Sequence, residues 1–239
     1  MTALLQNKVA AITGAITGID EKSETAYTEL QREVGETLSA NLTSFAGDIS
    51  KPETGTALIQ KTVDTFGRLD VFVSNAGVCQ FADFLSTPPE LANLTIATNL
   101  NGAYFAVQAA ARQMASQTPK GGSIIGVSSI SALVGGARQV HYTPTKAGVL
   151  SLMQSAACAL GPHGIRCNAL LPGTIETQLN EQDLAEPSKR QYMEGRIPLG
   201  RVGKPEDLAG PAVFLASNLS AYVTGAQLLV DGGLFVNLQ

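Results

Sequence analysis

The chain alternates short apolar runs with longer segments of helical period, and that alternation limits its fold more than any other feature. The runs are KVAAIT, NLTSFAG, LDVFVSNAG, GSIIGVSS, IRCNALLPG and AQLLVDGG. Each suits a strand buried on both faces. The helical segments run from Glu21 to Leu38, Pro52 to Phe66, Pro89 to Ser116, Tyr142 to Leu160 and Pro205 to Leu215. Strands and helices in alternation fold as an α/β protein with a doubly wound parallel sheet. Ser50 ahead of Lys51-Pro52-Glu53 reads as a helix cap followed by a first-turn proline and acid, and Lys204-Pro205-Glu206-Asp207 repeats that signal. The polar stretch from Glu176 to Gly195 lacks a clear apolar stripe and reads as a mobile flap over a site.

Composition narrows the class. With 239 residues, 44% hydrophobic and 15% charged, residues 1–239 are expected to form one domain with a large core. A net charge of -4 offers no basic surface for a phosphate backbone, so nucleic acid is not an expected partner. Cys79, Cys158 and Cys167 are odd in number and scattered, and MTALLQNKVAAITG lacks the pattern of a secretory signal, which predicts a reduced, cytoplasmic protein. No stretch reaches the roughly 18 apolar residues of a membrane span. No His, Cys and Asp spacing suggests a metal.

In a doubly wound sheet, ligands bind beyond the carboxyl ends of the strands. The residues there are rich in Gly, Ser, Asn and Asp: Thr13-Gly14, Asp48-Ile49, Asn75-Ala76-Gly77, Ser128-Ser129, Pro172-Gly173 and Asp231-Gly232-Gly233. Tyr142 and Lys146 lie four apart at a helix start and share a face. An ammonium beside a phenol favours phenolate and makes tyrosine a usable proton-transfer group. An isolated pair of this kind would be an ordinary helical pair. Here Ser129 ends a strand ahead of it, where a hydroxyl can hydrogen-bond a substrate oxygen beside the phenol. Asn99 and Gly102 form an unfavourable pair for a helix interior, unless a kink or a buried polar group is wanted there.

Together these residues resemble the short-chain dehydrogenase/reductase family, over nearly the whole chain. The fingerprints are Thr13-Gly14 with Gly18, Asp48, SNAG at 74–77, Asn99, Ser129, Tyr142 with Lys146, and Pro172-Gly173. The resemblance implies a Rossmann-type fold, NAD or NADP as cofactor, and a homo-tetramer, with which the apolar C-terminal LFVNLQ is consistent as a subunit contact. It implies that Tyr142 is the acid/base, that Lys146 lowers its pKa and holds the nicotinamide ribose, that Ser129 positions substrate, and that Asn99 helps hold a relay water. Gly14, Gly18 and Ile19 would meet the pyrophosphate side. Asp48 and Ile49 would meet the adenine, Asn75, Ala76 and Gly77 would line the cofactor, and Pro172, Gly173, Ile175 and Thr177 would face the nicotinamide. Within the family the closest resemblance is to members that oxidise the anomeric hydroxyl of a sugar to a lactone. Ser131, Gln139 and His141, with Cys79 and Gln80, are candidate contacts to sugar hydroxyls. Two alternatives stay open: a reductase of 3-oxoacyl thioesters or another small ketone, and a non-catalytic member unable to hold a dinucleotide.

The second alternative has a basis in the sequence. The glycine loop reads TGAITGID, with Asp20 where the family has a third glycine, placing a carboxylate where an anion should bind. From Gly18 to NLTSFAG there is room for one helix, where the family plan has a helix, a strand and a helix. About two dozen residues are therefore expected to be missing between Ile19 and Asp20, including the strand whose end separates NAD from NADP.

Overall fold

The computed structural model describes residues 4–15, 28, 32, 41–177, 180 and 184–237. In chain order the principal elements are β1 (Ala10–Ile12), α1 (Pro52–Phe66), β2 (Val71–Ser74), α2 (Pro89–Ile96), α3 (Gly102–Ser116), β3 (Gly122–Val127), α4 (Thr143–Leu160), β4 (Ile165–Pro172), α5 (Pro187–Arg196), α6 (Pro205–Ala216) and β5 (Gln227–Val230). The strands make one parallel sheet in the order β1-β2-β3-β4-β5. Successive side chains of a strand face opposite ways. Phe72 and Ile124 pack on one face with Ala106 and Val107 of α3 and Leu150 and Met153 of α4. Their neighbours Val71 and Ile125 pack on the other face against Leu215 of α6. Helices on both faces are what near-continuous apolar strands demand.

Two expectations on the N-terminal side are corrected. NLTSFAG forms no strand: residues 42–48 lie outside the sheet, and β1 pairs with β2 in the register Ala10 to Val71 and Ile12 to Val73. A parallel strand needs a neighbouring edge about 4.8 Å away to satisfy its backbone groups. In this chain residues 43–48 are exposed instead, and Ile12 on β1 is 49% exposed. Ser50 does not cap α1; Lys51 holds that position. The Ser50 hydroxyl and amide both donate to Asp48 Oδ1, at 2.7 and 2.9 Å, which turns the side chain away from the helix end. The expected helix from Glu21 to Leu38 lies outside the described residues, apart from Thr28 and Arg32, which are helical.

Elsewhere the helices fall close to expectation. α6 starts as an acid-led turn, with the Lys204 amide donating to Asp207 Oδ2 at 2.7 Å. The long segment from Pro89 to Ser116 is helical throughout but widens to a π-turn at Ala97–Asn101. Such a turn is a recognised cause of a local break in the helical ladder. The stretch from Glu176 to Gly195, read as a flap, contains most of α5. Leu184 and Ile197, flanking that helix, are buried with Val202 and Leu234. Apolar residues spread this thinly leave no stripe in the sequence, yet they converge in space.

Candidate active site

The carboxyl ends of β1 and β2 are tied together by Thr13. Its Oγ1 accepts from the amides of Asn75 and Ala76, both at 3.0 Å, while Asn75 Nδ2 donates to the carbonyls of Thr13 and Gly14. Gly14 adopts φ 65°, and a Cβ there would lie 2.7 Å from Ala76 Cα, so only glycine fits. The bare backbone of Gly14 and the SNAG segment therefore lie against each other in a polar cradle.

Asn99 sits in the π-turn at 1% exposure. Its Oδ1 accepts from Val78 N at 2.8 Å, and its Nδ2 donates to Val78 O at 2.9 Å and to Thr145 Oγ1 at 3.3 Å. One buried amide thus clasps the loop after β2 to the start of α4. Gly102 is explained by the same packing, because a Cβ there would meet the Ile49 carbonyl at 2.8 Å.

Tyr142 occupies the cap of α4 and Lys146 its first turn, and the Lys146 Nζ lies 5.6 Å from the phenol ring centre. Nζ donates to Val127 O at 3.0 Å, and Ser128 Oγ donates to Lys146 O at 2.7 Å. Ser129 lies two residues beyond β3 and hydrogen-bonds Tyr142. Burial pushes the Tyr142 phenol well above its ordinary range, the Cys79 sulfur beside it adds to the rise, and the Ser129 bond opposes it. Burial also brings the Lys146 ammonium down to about 8. Loss of hydration thus sets the direction for both groups in the free pocket, neutral phenol and weakened ammonium alike.

These groups open on one cavity of about 740 Å³. It is lined on the inner side by Asn75, Gly77, Lys146 and Tyr142, and along the strand ends by Pro172, Gly173, Ile175 and Thr177. Ser129, Ser131 and Gln139 line it beside the phenol. Gly77 leaves room there, since a Cβ on it would lie 3.3 Å from Asn99 Oδ1 and 3.5 Å from Lys146 Nζ. Gly14, Ala76 and Asn99 stand behind the lining and support it. His141 is not brought to the cavity wall: it is 9% exposed, and neither ring nitrogen has a hydrogen-bond partner among the described residues. Asp48 and Ile49 do not line the cavity either, Asp48 being an exposed carboxylate whose pKa is lowered by its Ser50 hydrogen bonds. Gly18, Ile19 and Asp20 lie outside the described residues.

A family model described as enoyl-(acyl carrier protein) reductase matches residues 7–235, almost the whole chain. The chain is a short-chain dehydrogenase/reductase. It is 60% identical to an L-rhamnose-1-dehydrogenase of Scheffersomyces stipitis over 261 positions, covering 100% of both chains. It is 54% identical to an L-rhamnose 1-dehydrogenase (NAD(P)(+)) of Azotobacter vinelandii, covering 99% of this chain and 100% of that one. Among solved structures, a gluconate 5-dehydrogenase from Burkholderia cenocepacia, in complex with NADP and tartrate, superposes with a TM-score of 0.84 at 28% identity and 98% coverage of each chain. The first of these alignments is 22 positions longer than the 239 residues of this dehydrogenase, so about that many residues of the relative lie opposite gaps in it.

The sequence predicts a flap over the site at 176–195, but not which residues of it, or of the C-terminus, face the cavity. Leu184, Met193 and Arg196 supply one side, and Leu234, Phe235 and Asn237 the other. Part of LFVNLQ, expected to be a subunit contact, thus folds against the site. Asp231 directs it there, its carboxylate accepting from the amides of Gly233 at 2.9 Å and Phe235 at 2.7 Å. Asn237 Nδ2 fastens the end to Arg196 O at 2.8 Å. The signal available was the acid followed by two glycines, Asp231-Gly232-Gly233, which specifies a tight turn.

Proposed function

We propose that this protein oxidises the anomeric hydroxyl of L-rhamnose to the lactone with NAD or NADP. The observation that carries this reading is the full-length identity to L-rhamnose dehydrogenases, in a chain that also brings Ser129, Tyr142 and Lys146 to one cavity. Tyr142 takes the proton of the anomeric hydroxyl as its C–O bond becomes C=O. Asn75 and Gly77 would line the cofactor, whose nicotinamide would supply the hydride acceptor for the hydrogen leaving C1. Ser129 shares the hydroxyl oxygen with Tyr142 and fixes its direction. Lys146, held by the Val127 carbonyl, places a positive charge beside the phenol and offers its remaining donors to the ribose side of the cradle. Asn99 keeps the Val78 loop and α4 in register, so that these groups hold their spacing. Gln139 and Ser131 are the groups for the remaining sugar hydroxyls, while Pro172, Gly173, Ile175 and Thr177 form the wall against the nicotinamide.

Further parts of the reading rest on the family. We infer that the missing positions fall between Ile19 and Asp20, that Gly18 and Ile19 serve the pyrophosphate, and that Asp48 and Ile49 meet the adenine. Residues 1–239 act as one domain, in a cytoplasmic homo-tetramer. The exposed Leu94, Ile96 and Tyr104 supply apolar surface for such an assembly, and no helix among the described residues is long and apolar enough to cross a membrane.

A substrate panel tests the reading. L-Rhamnose and other aldoses are offered with each oxidised cofactor, and 3-oxoacyl thioesters with each reduced one. Aldose oxidation without thioester reduction is expected; the reverse pattern would assign the reductase alternative.

A further inference from the structure

The loop after β2 and the loop before α4 meet at a contact between Cys79 and Gln139. Val78 is clasped at both its amide and its carbonyl by Asn99, which fixes the direction of the residue that follows it. Cys79 lines the cavity, and its Sγ accepts a hydrogen bond from Gln139 Nε2 at 3.3 Å. Gln139 is itself anchored at the backbone. Its amide donates to Gly136 O, and its carbonyl accepts from the amides of Tyr142 and Thr143, all at 2.9 Å. The other end of the carboxamide lies over Gly136, where a Cβ would come within 2.7 Å of Oε1. The two loops are joined again by the Ala82 amide donating to Arg138 O at 3.0 Å, and by Arg138 with Asp83 at 3.4 Å.

We propose that Cys79 is a positioning residue, which holds the Gln139 carboxamide ready for a hydroxyl of the sugar. This inference rests on the sugar-dehydrogenase reading. A glutamine side chain is long and rotamer-rich, and ordering it on binding weakens affinity. Here the sulfur on one side and the bare Gly136 on the other fix the amide before substrate arrives. One N–H and the acceptor capacity of Oε1 remain for the ligand. Because Gln139 also carries the first amides of α4, the same contact sets the sugar-binding group relative to Tyr142.

The test is a kinetic double-mutant cycle on L-rhamnose oxidation at saturating cofactor, with thermal melting to establish that each variant is folded. Cys79→Ala is expected to raise the sugar KM about three- to tenfold, as the loss of one hydrogen bond would, with a smaller change in kcat. The cofactor KM should stay at its parental value. Gln139→Ala should raise the sugar KM at least as far, and the double variant no further than Gln139→Ala alone. Cys79→Ser, which keeps an acceptor, should recover most of the loss. Gly136→Ala disturbs the amide from its other side and should raise the sugar KM without altering Cys79. Losses that multiply in the double variant, or a sugar KM unmoved by Cys79→Ala, would overturn the proposal while leaving the sugar reading intact. A parent protein that oxidises no aldose would overturn that reading itself.

Discussion

Asn99 holds the Val78 amide and the Val78 carbonyl, which have no other partner among the described residues, and it also donates to the Thr145 hydroxyl, which itself donates to Tyr142 O. Truncation would strand buried polar atoms, so Asn99→Ala should cost about 2 to 4 kcal/mol of stability in urea denaturation, with activity falling as the loop loosens. Gly102→Ala should also destabilise, by about 1 to 3 kcal/mol, because its Cβ would press on the Ile49 carbonyl. The pH dependence follows from the two titrating groups. A phenol held above its ordinary range is neutral in the free protein at neutral pH, and it must lose its proton before it can act as a base. For aldose oxidation, kcat/KM should therefore climb as pH rises through neutrality. Lys146, brought down to about 8, loses its charge above that value, and the climb should bend over there. A flat profile measured from acidic to alkaline buffer would contradict these assignments.

At the scale of elements, the chemistry-bearing pieces were readable because each obeys a local rule. Pro52–Phe66 begins at a proline and ends at a glycine of positive φ, and the awkward Asn99-Gly102 pair marked a break that is a π-turn. Pieces that depend on distant partners were not readable. NLTSFAG has the composition of a strand, but composition does not reveal whether an edge is there to receive it. Ser50 has the chemistry of a cap, yet Asp48 two residues earlier offers its hydroxyl a closer partner. His141 stands next to Tyr142 in sequence, but its ring is turned into the protein rather than the cavity. The C-terminal turn has a place that the sequence did not reveal, in the wall of the cavity. Asp231→Ala should release the Gly233 and Phe235 amides, costing about 1.5 to 3 kcal/mol. The accompanying rise in sugar KM, with cofactor KM unchanged, is measured by steady-state kinetics.

For the whole molecule, one cavity gathers Ser129, Tyr142 and Lys146 in a chain 22 positions shorter than its alignment with a relative. Lys146 is tied to the end of β3 through the Val127 carbonyl and the Ser128 hydroxyl, and Tyr142 caps the same helix, α4. The 22 positions without a counterpart in this chain would, in our placement, include the strand end that reads the adenosine ribose. NAD and NADP should consequently bind with dissociation constants within about tenfold of one another in calorimetric titration, since that placement removes the discriminating group. A strong preference for either would place the missing positions elsewhere in the chain.

The central claim is that this shortened chain is an active sugar dehydrogenase working through Tyr142. The most direct test follows reduced-nicotinamide formation from L-rhamnose, with protein whose intact mass matches 239 residues, beside its Tyr142→Phe variant. The account predicts turnover by the parent with NAD or NADP, and a loss of at least about a hundredfold in the variant. Equal rates in the two proteins, or no turnover and no binding of either cofactor by the parent, would contradict it.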